Sequence, residues 1–348
     1  MMTFVTLFDS FYLDKGLVLY DSLEKAAPGD FRLYIFCFDE KSKEILDKEK
    51  CSSKEAGKGN LENAVILSHK DLERKYPKLL KLKEERSKAE YCWTCTPASI
   101  EYVLNEFDEE SCTYIDADLY FFANPQPLFE EIEKSGADIV ITPHRFSDSA
   151  KDRRIEKRSG KYCVEFNYFN RSNNAAGCLS WWKERCFEWC FHLYEEERMG
   201  DQKYLMKFSS LFDNVHELKH LGGGVAPWNF AQYEAADESG NIVLREKKSG
   251  EEFALIFYHF QNIRFISETK LNISSETHDK KTKLMVYMPY LKEIFKKRDY
   301  LKESYDVDFG VKKIYSSNKL IGFLQGTILR FRVKSLSDIV DMKKETVK

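Results

Sequence analysis

Two aspartates one residue apart, Asp116 and Asp118, stand in the run Cys-Thr-Tyr-Ile-Asp-Ala-Asp-Leu-Tyr-Phe-Phe at 112–122. Cys112 to Ile115 reads as a short buried strand that ends on Asp116. Residues i and i+2 of an extended chain point the same way, so both carboxylates can converge on one hard cation. The C-terminal edge of a strand is also where open α/β sheets bind ligands. Such a site suits Mn²⁺ or Mg²⁺, held by a few carboxylates together with substrate phosphates. Two aspartates around an alanine are, on their own, an ordinary solvated turn. Here apolar residues flank them closely, and Asn124-Pro125-Gln126-Pro127 stops the strand before a helix. Acids wedged against a buried strand need a cation or strong donors to offset their desolvation.

Other residues carry chemistry at a distance in sequence. Strand-like Phe253 to Tyr258 leads into His259, placing an imidazole at a strand end; a satisfied core histidine is the other reading. Asp201 follows Gly200 and opens a helix, where Asp is a frequent N-cap. Gly222-Gly223-Gly224 followed by Pro227-Trp228-Asn229 reads as a tight loop. In it Trp228 and Asn229 can meet a ligand, the acceptor side of a transfer site, or simply shape the loop.

The elements that position these groups alternate strand and helix. Thr3 to Phe8 is a strand, and Leu17, Tyr20, Leu23 and Ala27 repeat at helical spacing after it. Phe31 to Phe38 and Asp138 to Thr142 are further strands, and Ile100, Val103, Leu104 and Phe107 mark a buried helix face. Residues 41–59 read as irregular and 72–90 as a charged helix. Residues 145–161, rich in Lys151, Arg153, Arg154, Lys157, Arg158 and Lys161, read as a solvated loop or a mobile flap over an anion. Positions 182, 186, 189 and 193 form one helical stripe, and Tyr287 to Glu303 an amphipathic helix. The alternation predicts a doubly wound α/β domain.

Composition narrows the class. The 348 residues are 43% hydrophobic, enough for a large core, and a net charge of −3 does not mark a nucleic-acid binder. No apolar run reaches the roughly 20 residues of a transmembrane helix, and Met1 to Asp9 reads as a strand rather than a leader. Nine scattered cysteines fit reduced thiols in a cytoplasmic protein. Cys92-Trp93-Thr94-Cys95 has a redox or zinc spacing but no second pair, and Thr96-Pro97 after it reads as a helix start, so packing is expected there.

The segment Tyr114-Ile115-Asp116-Ala117-Asp118-Leu119-Tyr120-Phe121-Phe122-Ala123-Asn124-Pro125 resembles the Asp-x-Asp segment of GT-A fold nucleotide-sugar glycosyltransferases. Phe4 to Tyr12 and Gly16 to Leu23 resemble their first strand and helix. Gly200-Asp201-Gln202 and Tyr258-His259-Phe260 resemble the Asp-Gln and His-Phe elements of the retaining galactosyltransferase and glycogenin-like branch, family 8. The matches run in order over about residues 3 to 265.

That resemblance implies a GT-A fold: a doubly wound mixed sheet, flanking helices and a mostly helical C-terminal appendage. It implies a catalytic domain over 1–265, with donor and metal in 1–145 and the acceptor side in 146–265, and an extension over 266–348. His259 becomes a third metal ligand beside Asp116 and Asp118, which favours Mn²⁺ over Mg²⁺. The Thr6 and Leu7 backbone and the Asp9 side chain would read a nucleobase, with Tyr12 stacked on it. Asp116, Ala117 and Arg264 would also contact the donor, Arg264 in place of a family lysine that this chain lacks. Asp201 and Gln202 would face the reacting sugar; in an inverting enzyme Asp201 is the first general base and Glu165 the second. The implied partners are a UDP-sugar and a glycan or lipid-linked acceptor in surface polysaccharide synthesis, with no nucleic acid. A sugar-phosphate nucleotidyltransferase and a catalytically silent nucleotide- or glycan-binding module are the alternatives. Residues 312–334 alternate apolar and basic stretches, which suit a membrane-peripheral contact or a terminal packing element.

Overall fold

A computed structural model describes residues 1–56, 61–237, 241–273, 279–310, 339–342 and 346–347. Its main sheet is built from β1 (Met2–Phe8), β2 (Phe31–Cys37), β3 (Ala64–Ser68), β4 (Ser111–Ile115), β6 (Ile139–Pro143), β7 (Tyr162–Asn170) and β8 (Val215–Glu217), with β5 (Leu119–Phe121) standing apart. The order is β3-β2-β1-β4-β7-β6-β8, and only β7 runs against its neighbours. This is the expected mixed α/β sheet with flanking helices.

β1 is buried at every position, as a central strand covered on both faces must be. Its alternation divides the two cores. Phe4 and Phe8 pack with Leu13, Leu17 and Leu23 of helix Leu13–Ala26. Val5 and Leu7 pack with Tyr91, Cys95 and Val103 of helix Lys88–Glu106. Gly16 is what allows the first helix to lie so close, since a Cβ there would sit 2.3 Å from the Phe8 ring.

β9 (Tyr233–Asp237), β10 (Val243–Glu246) and β11 (Glu252–Ala254) form a small antiparallel sheet, and β12 (Phe257–His259) pairs with β5. β13 (Arg264–Phe265) and β14 (Lys270–Asn272) follow, with β15 (Ile339–Asp341) and β16 (Thr346–Val347) added from the chain's end. Between them runs helix Lys280–Tyr305, longer at both ends than the amphipathic pattern indicated. Its Tyr287 and Tyr290 close a third core over Tyr120, Tyr258 and Phe260, and Phe260 stacks on Tyr290 at 3.8 Å.

Five sequence expectations change. Residues expected to be irregular form helix Glu40–Ala56, because Ile45 and Leu46 are buried and Glu49 accepts hydrogen bonds from the hydroxyls of Tyr300, at 2.6 Å, and Tyr305. The single charged helix is broken at Pro77 and again at Ser87, where a capping box with Glu90 starts Lys88–Glu106. Pro97 therefore lies inside a helix rather than at its start. The basic segment, expected as a loop, contains helix Ala150–Ser159, capped when the Asp152 N–H donates to Ser149 at 3.1 Å. The aromatic stripe holds at Trp182 and Cys186 but ends with helix Asn173–Glu188, leaving Leu193 exposed.

Cys92 and Cys95 lie within helix Lys88–Glu106, and burial pushes the Cys92 thiol up to about 12 and Cys95 well above its usual range. No helix among the described residues is long and apolar enough to cross a membrane. The stretch expected to meet a membrane, 312–334, lies outside the described residues.

Candidate functional site

β4 ends at Ile115, and the next residue turns its N–H onto the Glu165 carbonyl of β7 at 3.2 Å. Three residues on, β5 takes up antiparallel pairing with β12, so Leu119 faces His259 and the Phe260 N–H reaches the Asp118 carbonyl at 2.9 Å. This crossing of two strand pairs carries an imidazole from far along the chain onto the aspartates. His259 Nε2 lies 3.0 Å from Asp118 Oδ1 and 3.6 Å from Asp116 Oδ2. The three side chains offer ligand atoms within 4.8 Å of one another.

The other ring nitrogen is committed. His259 Nδ1 lies 2.6 Å from Glu165 Oε2, and both side chains are buried. An imidazole whose Nδ1–H is donated to a carboxylate presents a bare Nε2, the arrangement that orients histidine ligands of metals. Charge agrees with that fit. Burial pushes Asp116 up to about 6, with His259 opposing and Asp118 adding to the rise. Burial also works against ionised Asp118, but Lys15 and His259 hold it below the usual carboxylate range. Burial opposes a charged His259 as well, yet Asp118, Cys163 and Glu165 raise it well above its ordinary value. Without a cation the imidazole thus keeps a proton on Nε2 toward Asp118, and a divalent cation binding there would displace that proton to reach the bare nitrogen.

The wall around Glu165 is tight. Gly224, at φ +90°, would put a Cβ 2.9 Å from Thr142 Cγ2 and 3.3 Å from Glu165 Oε1, so a side chain does not fit. Glu165 Oε1 has no hydrogen-bond partner. Trp228 meets His259 edge-on at 5.4 Å, is half-buried, and donates its indole N–H to the His144 carbonyl at 3.0 Å. Asn229 is fully enclosed: its amide N–H groups reach the carbonyls of His144 and Gly224, and its oxygen accepts from the Ala226 N–H at 2.9 Å. His144, with its pKa pushed down to about 4 by burial, stays neutral beside them.

Asp201 is buried at the start of a 3₁₀ turn, where Trp182 donates its indole N–H to the Asp201 carbonyl at 2.9 Å. It does not cap that turn. Burial, and after it the charge of Asp116, push its carboxyl up to about 7. Gln202 donates its amide to the Ser159 carbonyl at 2.6 Å, which fastens the basic helix to this side of the site.

Of the residues expected to meet a donor, all but Arg264 lie in β1 or in the turns that follow β1 and β4. Thr6 and Leu7 are buried in β1, and the Thr6 hydroxyl has no partner. Asp9 accepts the Phe11 N–H at 3.0 Å, capping the turn that presents Tyr12, whose ring is partly exposed. Ala117 is buried between the two aspartates. Arg264 stands apart, exposed on β13 with its guanidinium 3.4 Å from Asn262 Oδ1. Lys15 was not anticipated. Its Nζ lies 3.4 Å from Asp118 Oδ2 and 4.0 Å over the Tyr12 ring; a lysine one helical turn after that tyrosine was the available signal.

Fold and site together define a mixed α/β protein whose strand ends gather two aspartates and a histidine fit for a divalent cation. No family model matches the chain. It is 35% identical over 271 residues to the uncharacterized protein YfnF of Bacillus subtilis (strain 168), covering 76% of this chain and 82% of that one. With YfnD of the same organism it shares 30% over 267 residues, covering 75% and 79%. The chain belongs to the family of YfnF and YfnD. Solved structures similar to it include glycosyltransferases. Mouse xyloside xylosyltransferase 1 is 14% identical with a TM-score of 0.46, covering 75% of this chain and 98% of that one. The galactosyltransferase LgtC, solved with donor and acceptor sugar analogs, is 14% identical with a TM-score of 0.48, covering 84% and 95%.

Proposed function

We propose that the chain is a metal-dependent glycosyltransferase of the hexosyltransferase type. It moves a sugar from a nucleotide-diphospho-sugar, a UDP-sugar, to a glycan or lipid-linked acceptor in surface polysaccharide or glycoconjugate synthesis. The observation that carries this reading is the convergence of Asp116, Asp118 and His259 on one point at the strand ends. One imidazole among the ligands favours Mn²⁺ over Mg²⁺. Bound there, the cation supplies Lewis-acid stabilisation of the negative charge that grows on a departing nucleoside diphosphate.

The chain's own groups do the rest. Glu165 orients His259. Tyr12 offers the aromatic face for a base, beside the Asp9 carboxylate and the Thr6 and Leu7 backbone. Asp201, poised at about 7, can orient or deprotonate an acceptor hydroxyl, or stabilise positive charge at the sugar carbon. Gln202 holds that turn to the neighbouring helix, the half-buried Trp228 presents a ring to a sugar, and Asn229 holds the Trp228 loop in shape. Donor and metal groups come from 1–145, except His259, and acceptor groups from 146–265; within the extension over 266–348, helix Lys280–Tyr305 packs Tyr287 and Tyr290 onto this domain. The setting proposed is cytoplasmic.

The test is hydrolysis of UDP-, GDP- and CMP-sugars with Mn²⁺ by wild type and Asp118→Ala. The wild type is expected to cleave a UDP-sugar in Mn²⁺ and not in EDTA, and Asp118→Ala to be inactive though folded. Full activity in EDTA would overturn the metal reading. Pyrophosphate release from a nucleoside triphosphate and a sugar phosphate would make the chain a nucleotidyltransferase instead.

A further inference from the structure

We infer that Lys15 is an exchanging counter-ion: it pairs with Asp118 in the metal-free protein and transfers to the phosphates of a nucleoside diphosphate once a divalent cation is bound. This rests on the metal-dependent reading above. The side chain of Lys15 is only 12% exposed, and a buried ammonium needs an anionic partner. Its partner is divided. Asp118 Oδ2 faces Lys15 at 3.4 Å, while Oδ1 faces His259 at 3.0 Å.

A cation held by Asp116, Asp118 and His259 would draw the Asp118 charge to itself and repel the ammonium now 3.4 Å from that carboxylate. The flexible four-carbon stem of lysine can move its charge to a new anion nearby. The position of Lys15 selects that anion. It lies between the Tyr12 ring, over which Nζ sits at 4.0 Å, and the cluster of Asp116, Asp118 and His259. Ring, ammonium and cation site thus follow the order of base, phosphates and metal in a nucleoside diphosphate complex. Neighbouring Asp14 does not compete for Lys15 on equal terms, because it is paired with Arg298 at 3.1 Å. Arg264, the cation expected from the sequence, is exposed on β13.

The experiment titrates full-length wild type, Lys15→Met and Lys15→Arg calorimetrically, first with Mn²⁺ alone and then with UDP at saturating Mn²⁺. Lys15→Met is expected to bind UDP at least about tenfold more weakly, through loss of one charge-assisted bond. The same variant should bind Mn²⁺ several-fold more tightly without nucleotide, because a competing cation has gone. Lys15→Arg should keep most of the UDP affinity. Opposite signs for the two ligands separate this role from a structural one, since a damaged fold weakens both. UDP affinity unchanged in Lys15→Met, or both affinities falling together in a variant that melts as wild type does, overturns the inference. Should Lys15→Met not fold, Lys15→Gln is titrated in its place and read the same way. A wild type that binds no Mn²⁺ removes the functional reading and the inference with it.

Discussion

Glu165 Oε2 lies 2.6 Å from His259 Nδ1, and this one contact decides which imidazole nitrogen faces Asp116 and Asp118. It arises from register. β7 lies antiparallel to β4 with Phe166 opposite Ile115, so Glu165 stands beside the first residue after β4. β12 brings His259 to the same place through its pairing with β5. On the function proposed above, Glu165 acts by holding His259, a role that the sequence, which offered it as a second general base, did not indicate.

Glu165→Gln should therefore weaken Mn²⁺ binding by about 10- to 100-fold, the usual consequence of losing a carboxylate behind a histidine ligand. The amide keeps the volume, so the fold should persist. Electron paramagnetic resonance of free Mn²⁺ in a titration measures this directly. Affinity equal to wild type would show that Glu165 has no hold on the ligand.

Asp118→Ala should abolish the stabilisation that Mn²⁺ confers. A ligand that binds only the folded state at about 100 times its Kd adds about 2.7 kcal/mol. Wild type is expected to melt several degrees higher in millimolar Mn²⁺ than in EDTA, and Asp118→Ala to melt at the same temperature in both. A metal-dependent shift that survives in the variant would place the cation elsewhere.

The aspartates and His259 were legible because each signal is local: a period of two at a strand end, and an apolar strand leading to a histidine. What stayed hidden depends on distant partners. Helix Glu40–Ala56 looks too polar to be ordered until the Tyr300 and Tyr305 hydroxyls are seen on Glu49 from the far helix. Lys15 reads as an ordinary surface lysine of a first helical turn until Asp118, 103 residues away, comes to meet it. Glu165 could be recognised as a carboxylate in a strand, but not as the partner of a histidine 94 residues later. Sequence periodicity gives faces; only the register of β4, β5, β7 and β12 says which faces meet.

Asp201 supplies a pH dependence whose sign is fixed. In the unfolded chain its carboxyl ionises near 3.9, while the folded protein holds the proton up to about 7. Over that window the folded state binds the additional proton, so this group's contribution to stability falls as pH rises from about 4 to 7 and stays reduced above. Asp201→Asn removes the loss. In EDTA the variant should be close to wild type at pH 4.5 and more stable by on the order of 2–4 kcal/mol at pH 8, although inactive. Urea unfolding at both pH values measures the difference, and a gap that does not widen with pH would contradict the assignment.

Gly224 tests whether the loop holding Trp228 is built against Glu165. Two glycines with similar positive φ make the comparison: Gly250, at +77°, has nothing within 4 Å of where a Cβ would go, whereas Gly224, at +90°, has Thr142, Arg145 and Glu165 there. Gly250→Ala pays only the backbone penalty, about 1 kcal/mol. Gly224→Ala adds a clash with groups that cannot retreat, because the Arg145 guanidinium is fixed by the carbonyls of Leu218, His220 and Gly223. A loss of about 3 kcal/mol or more is expected, as for a strained backbone combined with overpacking. The displaced Glu165 should also weaken Mn²⁺ binding in whatever protein remains folded, whereas Gly250→Ala should bind Mn²⁺ as wild type does. Equal losses of stability in the two variants, with Mn²⁺ affinity untouched in both, would mean that the loop and His259 are not mechanically joined through Glu165.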